Sequence, residues 1–383
     1  MERVLFAVNA EEFGGLEVVL LDWLSGIDYS KVSAALAYRS DVLKQRLALL
    51  NLPVETIKLS IPVKESSWKK FWNWRRVLSS AHPDKIILLE GSAGDLSLAT
   101  ILAARFSASD VSVFAGGGGG TITDANLPRG LGVFRLKQAI RRKIRSSLLR
   151  RNFVPSQGLK DNVVASLGYP AGQTSVLYHG VDTTRFRPSP AERAEFRRAQ
   201  SIPEDALVIA SHGRIAGIKR VDRILKAFAT LAAENPNLWL LLTCYGPLKD
   251  EVERTVASSS VYRQVKLLGF QEDASKLLKA ADIYVLASDR EGFGIALVEA
   301  MSTGLICVST NGQGPAEIVV NGESGILVDP TDAEVLAGLR RAMRLSPDER
   351  NQLAAQARKT AEDRFEIHAA IRRALDSMGI SSR

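Results

Sequence analysis

The sequence predicts an α/β chain made of two doubly wound, mostly parallel domains in tandem. Three observations lead there. Apolar runs of strand length alternate with longer helical patterns from the first residues onward. The alternation halts in a linker-like stretch, YHGVDTTRFRP (Tyr178–Pro188), and then begins again. With 383 residues, 46% of them hydrophobic, the chain is long enough for each half to bury a core of its own.

In order, RVLFAVNA (Arg3–Ala10) reads as a first strand, Gly14 and Gly15 break the chain, and LEVVLLDWLSG reads as a helix. VSAALAY (Val32–Tyr38), KIILLE (Lys85–Glu90) and VSVFAG (Val111–Gly116) are further strands, with a loop and helix between the last two. After the linker come ALVIASHGRI (Ala206–Ile215) as strand and turn, and KRVDRILKAFATLAAENP as a strongly periodic helix. LWLLLTCYGP (Leu238–Pro247), VKLLGF (Val265–Phe270), IYVLA (Ile283–Ala287), LICVST (Leu305–Thr310) and GILVDP (Gly325–Pro330) supply strands, and the tail from Asp332 is mostly helical.

Two segments interrupt this rhythm. Ser67–Leu78 holds three of the five tryptophans, with Phe71, among Lys69, Lys70, Arg75 and Arg76. Arg135–Arg151 has eight basic residues and no acidic one, with Leu136, Ile140, Ile144 and Leu148 recurring every four. On a helix that spacing makes an apolar stripe flanked by cations, the pattern of a helix lying in a membrane interface; a core-packed helix with a solvated basic face would read the same way. Residues 1–188 carry 25 Lys/Arg against 16 Asp/Glu, whereas the remainder carries 25 against 26, so the basic character belongs to the first half. We therefore expect Trp68–Arg76 and Arg135–Arg151 to face an anionic membrane surface.

Other classes are disfavoured. Cys244 and Cys307 lie in apolar runs, and the four histidines are scattered, so neither a disulfide framework nor a zinc site assembles and no metal is expected. No apolar run approaches the roughly 20 residues of a spanning helix. The first residues turn acidic too soon for a signal peptide, which points to a cytoplasmic protein, peripheral on the inner face of the cell membrane. A nucleic-acid-binding role is a distant alternative resting on Trp68–Arg76 alone, and no nucleic-acid partner is expected. No GxGxxG follows the first strand, which argues against a nicotinamide-linked enzyme.

The chemistry concentrates in DREGFGIALVE (Asp289–Glu299). It joins the strand IYVLA to a helix and then a strand, a βαβ unit, so its turn belongs at the carboxyl edge of a parallel sheet. Ligands bind there against the N–H groups at a helix start. Arg214 ends an earlier strand and Lys219 precedes the next helix, so both can reach one ligand. Fixed cations and helix-start donors suit a diphosphate. Glu299 can accept two hydrogen bonds from a vicinal diol such as a ribose, and Glu291 can accept from sugar hydroxyls or stabilise developing positive charge.

These motifs resemble those of the retaining glycosyltransferases of family 4 (group 1), which have the GT-B fold. The matching stretches are GRIAGIKRVDRIL (Gly213–Leu225), YGP (Tyr245–Pro247), LLGF (Leu267–Phe270), AADIYVLAS (Ala280–Ser288), EGFGIALVEAM (Glu291–Met301) and GPAEIVVNGESGILV (Gly314–Val328). HGVDTTRF (His179–Phe186) resembles the family's domain junction. The resemblance implies two Rossmann-like domains facing each other across a cleft. The first, 1–183, would bind acceptor; the second, 184–361, would bind nucleotide sugar; a C-terminal helix, about 362–383, would pack back onto the first.

It further implies that Arg214 and Lys219 neutralise a donor diphosphate and that Glu291 contacts the transferred sugar. Backbone of Gly292, Phe293 and Gly294 would meet sugar and phosphates, Glu299 the ribose and Phe270 the base. Gly14 and Gly15 would close on a donor phosphate. Where many relatives have a histidine near the reacting sugar, this chain has Gly116–Gly120 followed by TITD. Gly118, Gly119, Thr121, Thr123 and Asp124 are candidates on the acceptor side, with a loop ordered only by acceptor as the other possibility. His179 and His212 read as structural. The function expected is a retaining transfer from a nucleotide diphosphate sugar, UDP- or GDP-linked, to a glycan or lipid-linked hydroxyl in bacterial surface polysaccharide synthesis, without a cofactor. A soluble transferase or a sugar-nucleotide epimerase of the same fold is the alternative.

Overall fold

A computed structural model describes residues 1–10, 13–61, 66–91, 93, 96–117 and 131–383. The chain forms two compact units, 1–179 with 368–383, and 180–367. These limits fall a few residues from the boundaries read at 183 and 361.

The first unit runs β1 (Glu2–Val8), α1 (Gly15–Gly26), β2 (Val32–Tyr38), α2 (Asp41–Leu49), β3 (Val54–Lys58), α3 (Ser67–Ser80), β4 (Lys85–Glu90), α4 (Leu98–Arg105), β5 (Asp110–Ala115), α5 (Leu131–Leu148), β6 (Arg151–Val154), α6 (Gln157–Leu167) and β7 (Thr174–Val176). Its strands pair in the order β3-β2-β1-β4-β5-β6-β7, all parallel. Helices cover the sheet, so β4 is buried along its whole length, and its central residues Ile86–Leu89 form an unbroken apolar run. Trp74 and Leu78 of α3 join Ile101, Ala103 and Ala104 of α4 in the core on one face.

The second unit runs α7 (Pro190–Ala199), β8 (Leu207–Ser211), α8 (Val221–Glu234), β9 (Leu238–Thr243), α9 (Lys249–Ala257), β10 (Val265–Leu268), α10 (Ala274–Lys279), β11 (Ile283–Leu286), α11 (Ile295–Ser302), β12 (Ile306–Thr310), α12 (Pro315–Ile318), β13 (Ile326–Val328), α13 (Asp332–Arg344) and α14 (Pro347–Phe365). Its parallel sheet has the order β10-β9-β8-β11-β12-β13. The order reverses between β8 and β11, so the connections leaving their carboxyl ends diverge and open a crevice there, where ligands bind in such sheets.

The last helix, α15 (Ile367–Met378), and the tail belong to the first unit from His368. Several contacts fasten them. Lys85 Nζ donates to the Gly379 carbonyl at 2.6 Å, and Asp28 N to the Ser381 carbonyl at 3.0 Å. Arg383 N donates to the Gly26 carbonyl at 2.9 Å, and Ile27 bridges to Ser382. Gly26 is required where it stands, because a Cβ would collide with Ile371 of α15.

The two unusual helices can now be placed. On α3, Trp68 and Trp72 are 69% and 49% exposed, while Trp74 is buried. Phe71 packs edge to face on Trp72 and on Phe106, with the Arg75 guanidinium 5.8 Å over Phe106. Along α5 the apolar stripe changes surroundings. Leu136 and Ile140 face out, whereas Leu148 packs on the core and Arg145 is buried with its guanidinium 4.0 Å above the Tyr169 ring. One cation of the basic helix is therefore structural.

In the second unit, α7 is clamped to the sheet through charge. Arg197 is 2% exposed; its Nη2 meets Asp282 Oδ2 at 2.9 Å, and its other donors go to the carbonyls of Ala280, Glu204 and Ala206. Asp282 also accepts from Arg193 and from Val208 N at the start of β8. Removing the guanidinium leaves several buried acceptors without donors. Arg197→Ala is therefore expected to destabilise the protein by about 3 kcal/mol, read from urea unfolding of the full chain.

Candidate functional site

Two connections build the site in the second unit. The first leaves β8 as His212–Lys219. Gly213 has φ +127°, a conformation that favours glycine, and its N–H donates to Thr243 Oγ1 at 2.9 Å. Ile215 N donates to the Tyr245 carbonyl at 2.7 Å, and residues 217–219 close in a single 3-10 turn that carries Lys219. The second leaves β11 as Ser288–Gly294. Asp289 N donates to the Ile218 carbonyl at 2.9 Å, so the two connections are stitched to each other.

The stitching brings Lys219 Nζ to 2.6 Å from Glu291 Oε2, and Ser288 Oγ donates to the same oxygen at 3.2 Å. Glu291 and Lys219, distant in sequence, thus form one charged pair at the carboxyl edge. Asp289, two residues earlier, has a different task. It accepts from Arg220 and from buried Arg223, which also donates to the Ala287 carbonyl at 2.7 Å. Asp289 holds the turn, and Glu291 faces the cation of the neighbouring loop.

Gly294 caps α11 with φ +110°, and Phe293 is buried against Phe365 at 5.5 Å between ring centroids. With its ring in the core, Phe293 has only backbone to offer a ligand. Gly314 N donates to the Glu291 carbonyl at 3.0 Å, and a Cβ on Gly314 would collide with the Phe293 backbone. Gly314 therefore sets the turn from behind, a role not read from the sequence.

Glu299 lies on α11, and His212 Nε2 is 2.6 Å from its Oε2. The sequence reading treated His212 as structural and missed this contact; its place directly after β8, beside Gly213 and Arg214, was the available signal. Arg214 and Glu299 both act electrostatically on Tyr245, whose phenol is pushed up chiefly by burial. Phe270 is 46% exposed and packs edge-on against Tyr245 at 5.1 Å. Arg214, Tyr245, Phe270 and Glu299 are thus linked on one side of the crevice. A cavity of about 450 Å³ between α8 and α9, lined by Phe228, Val252 and Val256, abuts the first connection at Ile215–Gly217 but takes in none of Arg214, Lys219, Glu291 or Glu299.

In the first unit, Gly14 caps α1, and its N–H is taken by Glu17 Oε2 at 2.8 Å. Burial pushes the Glu17 carboxyl up. The Gly14 amide is thus engaged within its own loop, and Gly15 begins the helix. At the end of β4, buried Glu90 accepts from Tyr169 Oη and from Leu96 N at 3.0 Å, and its carbonyl accepts from Gly116 N at 2.9 Å. Gly118, Gly119, Thr121, Thr123 and Asp124 lie outside the described residues. His179 is buried against Phe114, and burial lowers its pKa to about 3, so it stays neutral. Among the described residues no group of three or more His, Cys, Asp or Glu is arranged to hold a metal ion.

Comparison with known proteins bears on the family and the fold. Residues 192–360 match the family model of glycosyl transferases group 1. The chain is 28% identical to the putative glycosyltransferase EpsD of Bacillus subtilis (strain 168), over 50% of this chain and 51% of that protein. It is 30% identical to the lipopolysaccharide core biosynthesis glycosyltransferase LpsE of Rhizobium meliloti (strain 1021), over 44% and 48% of the two chains. It spans about half the length of the curated relatives it matches. Among solved structures, Anabaena Alr3699/HepE, determined in complex with UDP and glucose, superposes with a TM-score of 0.80 at 19% identity, covering 99% of this chain and 100% of that one. WaaG, a glycosyltransferase involved in lipopolysaccharide biosynthesis, superposes with a TM-score of 0.72 at 19% identity, covering 98% and 99%. The fold is GT-B.

The close approach of Gly314 to Phe293 is testable. Gly314→Ala is expected to cost about 2–3 kcal/mol through overpacking and to lower the thermal midpoint of the purified protein.

Proposed function

We propose, since residues 192–360 match the family model of glycosyl transferases group 1, that the chain moves a sugar from a nucleotide diphosphate sugar to a hydroxyl of a glycan or lipid-linked acceptor, with retention at the anomeric carbon. The observation that carries this reading is the Lys219–Glu291 pair at 2.6 Å, set beside the crevice where the strand order reverses. It supplies a cation for a leaving diphosphate and a carboxylate for the sugar at one point. Solved structures of HepE with UDP, with UDP and glucose, and with UDP-glucose support a nucleotide-sugar donor.

In this scheme Arg214 and Lys219 neutralise the diphosphate as the bond to the anomeric carbon breaks. The N–H groups of Gly292, Phe293 and Gly294 add donors at the start of α11. Glu291, oriented by Lys219 and Ser288, faces the sugar and stabilises the positive charge that develops on it. The acceptor hydroxyl attacks from the face the diphosphate leaves and gives its proton to the departing phosphate oxygen. Glu299 takes the ribose and Phe270 lies along the base. Because fixed cations do the electrostatic work, the scheme needs no metal.

The relatives named for lipopolysaccharide synthesis support a surface glycan as product. The exposed Trp68, Trp72 and Phe106 beside Lys69, Lys70 and Arg76 support a lipid-linked acceptor met at an anionic membrane surface on the cytoplasmic side. No helix among the described residues is long and apolar enough to cross a membrane.

Three measurements test these points. Screening UDP, GDP and their common sugars by thermal shift is expected to single out one donor series, and Glu291→Gln is expected to lower kcat about a hundredfold or more with that donor; full transfer by the variant would end the assignment. Sedimentation with vesicles containing phosphatidylglycerol at low salt is expected to carry the protein down, with Trp68→Ser/Trp72→Ser losing most of that binding. Equal sedimentation of both proteins would exclude these side chains as the anchor.

A further inference from the structure

We infer that His212 is a positioning residue that fixes the Glu299 carboxylate for recognition of a ribose diol, and so makes the site selective for ribonucleotides. The inference rests on the reading of Glu299 as the ribose ligand. Three observations support it. First, His212 Nε2 lies 2.6 Å from Glu299 Oε2, a charge-assisted distance, and since a carboxylate only accepts, the nitrogen must donate. Second, the imidazole is itself held. Its side chain is only 7% exposed, and it sits edge-on against Tyr284 at 5.4 Å, a ring fully buried in β11. Third, His212 Nδ1 is buried without a hydrogen-bond partner. The cheapest assignment is a neutral ring with its proton on Nε2, because a charged ring would leave a second N–H unpaired in the interior.

A glutamate on an exposed helix face samples many rotamers, and a ligand that binds it must first select one. Here the selection is made before the ligand arrives. One carboxylate oxygen is tied to a buried ring. The second, Oε1, has no hydrogen bond among the described residues, on a side chain that keeps 19% of its surface open. A vicinal diol donates twice to one carboxylate, so it gains most when that carboxylate cannot turn away. The consequence falls on affinity for the sugar of the nucleotide. Nothing in it touches the transferred sugar or the leaving phosphate.

The test compares UDP and GDP with their 2′,3′-dideoxy counterparts by calorimetric titration of the full chain, wild type and His212→Ala. Wild type is expected to bind one ribonucleotide about tenfold or more tighter than its dideoxy form. His212→Ala is expected to lose most of that ratio while binding the dideoxy form as before. His212→Gln, which returns an N–H near the position of Nε2, should restore part of it, and His212→Ala should add nothing in a Glu299→Ala background. With donor sugar, KM should rise and kcat hold. An unchanged ratio in His212→Ala overturns the inference, as does equal weakening toward both nucleotides with a lowered thermal midpoint, which is what a purely structural histidine would give. If wild type binds neither UDP nor GDP, the function proposed above falls first and takes this inference with it.

Discussion

Parallel pairing of β8 with β11 is the constraint on which the second unit depends. Because both strands run the same way and their outgoing connections turn to opposite sides, everything that follows them arrives at one edge. His212, Arg214 and Lys219 come from one connection, Ser288 and Glu291 from the other, and a single backbone bond from Asp289 to Ile218 holds the loops in register. Together with the bonds from Arg220 and Arg223 to Asp289, it brings a lysine and a glutamate 72 positions apart to one point.

Acids that look alike in sequence are separated by their partners. Asp289 is bound from beneath by Arg220 and Arg223, Glu291 from the side by Lys219, Glu299 by a buried ring, and Asp282 at the opposite end of β11 by two arginines of α7. Arginines face the acids that hold structure, since their several donors satisfy carbonyls as well as carboxylates. The crevice acids are met by groups with fewer donors, which leaves part of each carboxylate for a ligand. The thiols take no part: burial pushes both Cys244 and Cys307 up, away from reactive thiolate.

How much of this was legible in the sequence follows from what each element needs in order to form. The inner strands of the second unit are buried on both faces and announce themselves as apolar runs, and so do β1, β2, β4 and β5. Three strands were not read. β3 is a mostly exposed edge strand, while β6 and β7 have four and three residues; each exists because a neighbour pairs with it, which no local pattern records. In the site, the EGFG turn and its glutamates were visible because glycine and carboxylate spacing carries chemistry directly. His212 was not, because its role depends on burial against Tyr284, a contact made across the sheet. The engagement of Gly14 was readable in principle, since a glutamate three residues past a helix cap bonds back to it. The stripe on α5 was read as uniform, yet its far end turns into the core, because periodicity gives a face without saying where along it the neighbours stop.

The tail fastened to Lys85, Asp28 and Gly26 has a consequence in time. The second unit is one uninterrupted stretch of chain, whereas the first is completed only by its final sixteen residues. During synthesis the second unit can close its core as soon as it is made. The first must wait, with α1 and its neighbours uncovered on the side that α15 will occupy, until residues 368–383 emerge. The unit translated first is thus the one finished last, and it is there that a chaperone would find exposed apolar surface on the growing chain.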